Sequence, residues 1–321
     1  AGNTPNTDKF RITLRLFRDA FAQEGMEKVA DMPTNVTLSI FAKTGGGYTL
    51  FQNIYPVKRT RMDTIALTPR AYPCVLSPPR ITYEVGYFEL TIDLPRESGG
   101  YVVSFQTCCR AAGITNMVGF PVSTGSVTDG ATYIATISGT SVLGSEPNSS
   151  PQFFVKDTAL VCADSPFELD FGASDPDKDS LSFSFCSAYD RGNATQASET
   201  YASTPPPYKA ITYTSGFSGS QPLGNEASID AKTGMITGTA PRQGKYVINV
   251  CIDEWRKGIK IGSHRKDFIM EVKSCTVVGA ELEPQYLNCD DLTVSFENLK
   301  GTSLIKTWNW EFGTPGGAST Q

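Results

Sequence analysis

The chain has a single histidine, His264, no C-x-x-C pair, and no apolar run longer than about seven residues, in Tyr246-VINVCI. Each absence excludes something. With one imidazole, a Ser-His-Asp or Cys-His constellation has almost nothing to be built from, and Gly216-FSGS misses the spacing of a nucleophile elbow by one residue. His264 itself sits between Gly262 and Arg265 and reads as a surface loop residue. A bilayer-spanning helix needs roughly 20 apolar residues, so the sequence shows no membrane insertion. Thr44-GGGY lacks the Gly-Lys-Ser/Thr of a phosphate-binding loop. Positive charge is also scarce: 28 Lys and Arg face 33 Asp and Glu, for a net charge of -5. The basic clusters Lys58-RTR, Trp255-RK and His264-RK are short and separated. A nucleic-acid backbone needs a concentrated basic surface, so nucleic acid is excluded as a partner. Asp and Glu are numerous enough for a two-carboxylate glycosidase, but no stretch frames a cleft. No catalytic residue is assigned, and the chain is read as a non-enzyme.

Sustained helical periodicity is missing as well, and alternation replaces it. In Asp8-KFRITLRLF the residues Phe10, Ile12, Leu14 and Leu16 share one face, and Arg11, Thr13 and Arg15 the other. The pattern recurs in Asn35-VTLSIFAK, Tyr87-FELTIDL and Tyr101-VVSFQTCC, which predicts strands with one face packed and one in water. Gly and Pro, 29 and 20 in number, mark the reversals at Thr44-GGGY, Ser77-PP and Glu97-SGG. The expected fold is all-β: tandem Ig-like or cadherin-like β-sandwiches, disulfide-bonded, with the last domain incomplete. The Ser, Gly, Pro and Asn-rich passage Ser138-GTSVLGSEPNSSP sets a boundary, giving an N-terminal sandwich over 1–150 and a second over 151–277. Residues 278–321 start a third domain too short to complete itself. The chain is therefore expected to continue, or a partner to supply strands, and its Ala start fits a removed leader.

The ordered series Tyr101-VVSFQTCCR, Ala173-SDPDKDSLSFSF, Pro205-PPYKAITYTSGFS, Gln221-PLG, Ile229-DAKTGMITG, Tyr246-VINVCIDEWRKG and Arg265-KDFIMEV resembles the N-terminal region of gliding-motility-associated bacterial surface proteins secreted by the type IX route. Trp308-NWEFG resembles the opening of a polycystic-kidney-disease-type (PKD) domain, and the second unit resembles a cadherin-like or Ig-like domain. The resemblance implies a noncatalytic extracellular protein on the cell surface, an adhesin or surface-filament component built as a rod of sandwiches. Its partners would be other subunits or surface glycans and proteins. The alternative is the carbohydrate-binding front part of a secreted enzyme, with Tyr208, Phe217, Trp255 and Trp308 as an aromatic platform for sugar. This chain departs from the family at Ala20, Thr82 and Pro147, where cysteine is usual, and at Glu311 and Thr314, where Asp is usual.

The acidic loop Ser174-DPDKDSL offers Asp175, Asp177 and Asp179, spaced two apart, as hard oxygen ligands for a structural Ca²⁺, with Asp253 and Glu254 as contributors from elsewhere in space. It is no EF-hand, since Ser180 and Cys186 stand at the sixth and twelfth positions. The same loop also reads as an Asx turn bent at Pro176.

Eight cysteines with almost no histidine read as disulfides made in an oxidising compartment. Cys186 and Cys251 pair if their strands are neighbours. Cys162 and Cys275 then tie the ends of the second domain. Adjacent Cys108 and Cys109 lie on opposite strand faces, and Cys74 can serve only one of them. Cys74 with Cys109 is expected, leaving Cys108 unpaired or crosslinked. Asn35, Asn148 and Asn193 fit an N-glycosylation pattern, Asn148 and Asn193 being the better exposed. Asp63-TI, Asp157-TA and Asp179-SL fit an O-glycosylation pattern, with Thr64 and Thr158 as acceptors.

Overall fold

The computed structural model describes residues 6–19, 31–66, 75–76, 82–108, 110–111, 113–121, 127–128, 130–154, 161–191, 200–277, 309–311 and 318–320. The described chain is almost entirely β. Its first strands are β1 (Thr7–Asp19), β2 (Asn35–Thr44), β3 (Gly47–Ala66), β4 (Val75–Leu76), β5 (Thr82–Pro95), β6 (Tyr101–Thr107), β7 (Phe120–Pro121), β8 (Val127–Thr128) and β9 (Ala131–Ile137). A four-residue helix α1 (Thr140–Leu143) precedes β10 (Gln152–Phe153), β11 (Val161–Cys162), β12 (Pro166–Asp170), β13 (Ala173–Ser174), β14 (Ser180–Phe185), β15 (Ala227–Ile229) and β16 (Met235–Thr239). The long hairpin β17 (Gly244–Arg256) and β18 (Ile259–Lys273) follows, then β19 (Thr276–Val277), β20 (Asn309–Glu311) and β21 (Ala318–Thr320).

Contacts divide the chain into two compact units, one of residues 1–67 and 80–273, the other of 68–79 and 274–321. Residues on both sides of the boundary expected near 150 thus share one unit. In the second unit, β4 pairs with β19 and β20 with β21, both antiparallel.

The first unit contains an antiparallel six-stranded sheet in the order β1-β5-β3-β2-β6-β9. It curls around a core of Val36, Leu38, Ile40, Phe88, Leu94, Tyr101, Val103 and Phe105. Register shifts at Ile40/Phe41 and Arg59/Arg61 mark bulges, which bend a strand and sharpen its twist. β1 follows its alternation, with Phe10, Ile12, Leu14 and Leu16 packed on this core and Arg11, Thr13 and Arg15 exposed. For β2 and β6 the expectation of a wet outer face fails. Thr37, Ser39, Ser104 and Gln106 are all buried, because residues 200–204 lie over them. Thr37 Oγ1 donates to the Thr200 carbonyl (2.5 Å), the Ser203 amide donates to Ser39 Oγ (2.8 Å), and Ser203 Oγ donates to the Ser104 carbonyl (3.1 Å). The Thr204 amide donates to Gln106 Oε1 (3.0 Å). Small hydroxyl side chains on the outer face are what let another backbone come this close with its polar groups satisfied.

A four-stranded sheet, β11-β18-β17-β14, and a three-stranded sheet, β12-β16-β15, enclose a second core. Tyr246, Ile248, Val250 and Ile252 of β17 meet Ile236 of β16 and Phe171, Leu169 and Phe167 there. The turn into β16 is set by Asp230, whose Oδ1 accepts from the amides of Lys232 (2.9 Å) and Thr233 (2.7 Å). Those bonds hold its carboxyl below the ordinary range. Gly234 follows with φ +76°, and a Cβ there would meet the Phe171 carbonyl oxygen at 2.8 Å, so glycine is required.

A further core cluster lies around Val247 of β17. Val247 packs with Ile114, Met117, Ala188 and Ile211. Asn116 Nδ2 donates to the Pro222 and Val247 carbonyls (2.7 and 2.9 Å), and its Oδ1 accepts from the Val247 amide (2.9 Å). His264 lies within β18 opposite Ile252, not in a surface loop as its polar neighbours suggest. Its ring stands 5.9 Å from that of Phe153. Burial, with Arg15 and Lys266 nearby, pushes its pKa down to about 4.

Candidate metal centre

The acidic turn joins β13 to β14 and closes on itself. Asp175 Oδ1 accepts from the amides of Asp177 (2.9 Å) and Asp179 (3.0 Å), while Lys178 takes φ +66°. This is the Asx turn that the spacing allowed. The same closure gathers the carboxylates: one oxygen each from Asp175, Asp177 and Asp179 lies within 4.8 Å of the others.

Strand pairing brings the end of β17 beside this turn, with Ser180 opposite Trp255 and Leu181 opposite Glu254. Successive strand residues face opposite ways, so Asp253 and Glu254 cannot both serve the cluster. Glu254 turns inward and is 3% exposed. Asp253, expected with it, is engaged elsewhere, paired with Lys260 Nζ at 2.7 Å and accepting from Ser263 Oγ at 2.6 Å. Room for the Glu254 carboxylate comes from β18, where a Cβ on Gly262 would lie 2.1 Å from Glu254 Oε2.

The passage read as a linker also contributes. Asn148 Nδ2 donates to Glu254 Oε2 (3.1 Å), its Oδ1 accepts from Arg256 Nη2 (3.0 Å), and the Ser149 amide donates to Asp177 Oδ2 (2.5 Å). Asn148, expected from sequence as an exposed glycan acceptor, is half-buried with its amide so engaged. Arg256 holds Asp179 through both oxygens (2.8 and 2.7 Å) and reaches Glu146 Oε2 and the Pro147 carbonyl (each 3.2 Å). Its hydrogen bond to Asp179 raises its pKa above the ordinary guanidinium value. Two carboxylate oxygens, Asp175 Oδ2 of the turn and Glu254 Oε1 of β17, are buried with no hydrogen-bond partner. Burial pushes the Glu254 pKa up to about 7, against the Asn148 bond and with the help of Asp175, Asp179 and Asp177.

Of the aromatic platform expected as an alternative, the described members each have a partner of their own. Tyr208 packs on Tyr189, Phe217 packs on Tyr246, and Trp255 Nε1 donates to Ser182 Oγ (2.9 Å). Trp308 lies outside the described residues.

Among the cysteines, Cys186 and Cys251 are bonded, with Cα atoms 5.9 Å apart, and join the neighbouring strands β14 and β17. Cys162 and Cys275 are each disulfide-bonded. Cys108 is disulfide-bonded too, which removes the option of leaving it unpaired. Cys74, Cys109, Asn193 and Thr158 lie outside the described residues. Thr64 is exposed on β3, whereas the Thr37 hydroxyl needed for a glycan at Asn35 is buried and bonded.

Compared with protein-family models, curated proteins and solved structures, the chain matches none of them.

Proposed function

We propose that the chain is a noncatalytic extracellular protein of a bacterial cell surface, an adhesin or surface-filament component carried there by the type IX route. The observation that carries this reading is the Cys186–Cys251 bridge, with Cys108, Cys162 and Cys275 also oxidised. Disulfides persist in oxidising, extracellular surroundings. Among the described residues no helix is long and apolar enough to cross a membrane. The series of segments that resembles gliding-motility surface proteins adds the cell surface and adhesion, and Trp308-NWEFG adds a PKD-type continuation.

The use of buried polar side chains supports a structural role. Asn116, Gln106 and Arg110 each bind backbone or side chains of distant segments, as braces do, and His264 is packed against Phe153. Intact-mass measurement on protein taken from its native surface tests the reading together with a glycan array on this chain. A mass well above 34.7 kDa and no selective glycan binding are expected. Strong, selective glycan binding supports the carbohydrate-binding alternative instead, and a native mass near that of this chain contradicts a long adhesin.

A further inference from the structure

We infer that Asp175, Asp177 and Asp179 ligate a calcium ion, with the buried Glu254 carboxylate beside the turn and the 146–149 segment closing the site. The acidic turn alone does not carry this, because its internal hydrogen bonds account for its shape. The second observation is the pair of buried, unpartnered carboxylate oxygens, Asp175 Oδ2 and Glu254 Oε1, from two segments far apart in sequence. Leaving a buried acceptor unsatisfied is costly, and a cation held at the acidic turn offsets that cost.

Charge points the same way. Glu146, Asp175, Asp177, Asp179 and Glu254 gather here, and among the described residues the cations paired with them are Arg256 and Lys257. Arg256 is committed to Asp179, Glu146 and Asn148, and Lys260 sits with Asp253 on the other strand face. A divalent ion offsets the remaining negative charge.

The donors are all oxygen, with no imidazole or thiolate, which selects a hard cation. The turn supplies the carboxylates, Glu254 of β17 lies beside them, and water is available for higher coordination. That tolerance suits calcium, with six to eight oxygen ligands, better than the strict octahedron of magnesium. Binding would fasten the 146–149 segment to the acidic turn and to the end of β17. The inference is independent of the surface role, since the site is complete within one chain.

Calorimetric titration of calcium into the chelator-treated 321-residue chain tests it. The expected Kd is about 10⁻⁴ to 10⁻³ M, the range of extracellular modules. Asp175→Asn and Glu254→Gln should each weaken binding at least about tenfold, while Asp253→Asn should change it by less than about twofold. Because a variant may misfold, a second readout uses the unaltered chain. Terbium luminescence sensitised by Trp255 should appear and be displaced by calcium but not by equal magnesium. No heat and no displaceable signal at about 10 mM calcium would overturn the site, as would equal displacement by magnesium or an equal loss in Asp253→Asn.

Discussion

Arg110 and Asp267 stand 157 positions apart and form a bidentate ion pair, both contacts at 2.7 Å, with side chains 2% and 5% exposed. Burial opposes the Arg110 charge, but the Asp267 carboxylate more than offsets it and holds the guanidinium pKa above its ordinary value. The remaining Arg110 donors reach the Gly130 and Tyr189 carbonyls at 3.2 and 3.0 Å. One guanidinium thus ties the segment after β6 to the start of β9, to the 189 strand-like segment and to β18.

Removing one partner of this pair strands the other charge in the core. Asp267→Ala should therefore destabilise by about 3–5 kcal/mol, measured by urea unfolding. The double substitution Arg110→Met with Asp267→Leu should recover much of that loss. Equal instability in the single and double variants would show that the charges themselves are not the issue.

The Cys186–Cys251 bridge closes 65 residues of chain. Replacing both by serine should cost about 2–4 kcal/mol, seen as a lower unfolding midpoint. Without reductant, a thiol reagent should leave Cys108 unmodified. Ready labelling there would restore the unpaired Cys108 expected from sequence.

His264 makes stability depend on pH in a known direction. Its native pKa, about 4, lies below its ordinary value of 6.5. As pH falls through 6.5 the unfolded chain takes up a proton that the folded chain refuses, so stability declines until pH reaches about 4. The full effect is at most about 3 kcal/mol. His264→Gln should flatten that part of a stability-against-pH curve, and an unchanged slope would assign it to other groups.

Gly262 leaves the space into which the Glu254 carboxylate fits. Gly262→Ala should displace that carboxylate and weaken calcium affinity about tenfold or more, as changes behind a ligand commonly do. Titration of the folded variant checks this, and unchanged affinity would separate Glu254 from the calcium site.

How far the sequence reaches is clear from particular residues. The β1 faces were legible because Phe10, Ile12, Leu14 and Leu16 alternate with charge, and period two needs no distant information. The β2 and β6 outer faces were not. Thr37, Ser39 and Ser104 look like water-facing residues, and only the arrival of residues 200–204 buries them. The acidic turn was legible from spacing, and Glu254 was named with Asp253, but nothing local says which of two neighbours faces the turn. That choice follows from the β14–β17 register. The bonds of Asn148 are not legible locally, because its partners Glu254 and Arg256 are more than 100 positions away.

Whether the protein resides in an oxidising, extracellular place is decided by non-reducing peptide mapping of the chain recovered from fractionated native cells, with thiols alkylated at lysis. A linked Cys186–Cys251 peptide pair is expected, recovered from the cell-surface or extracellular fraction. Recovery from the cytosolic fraction with Cys186 and Cys251 both alkylated would contradict it.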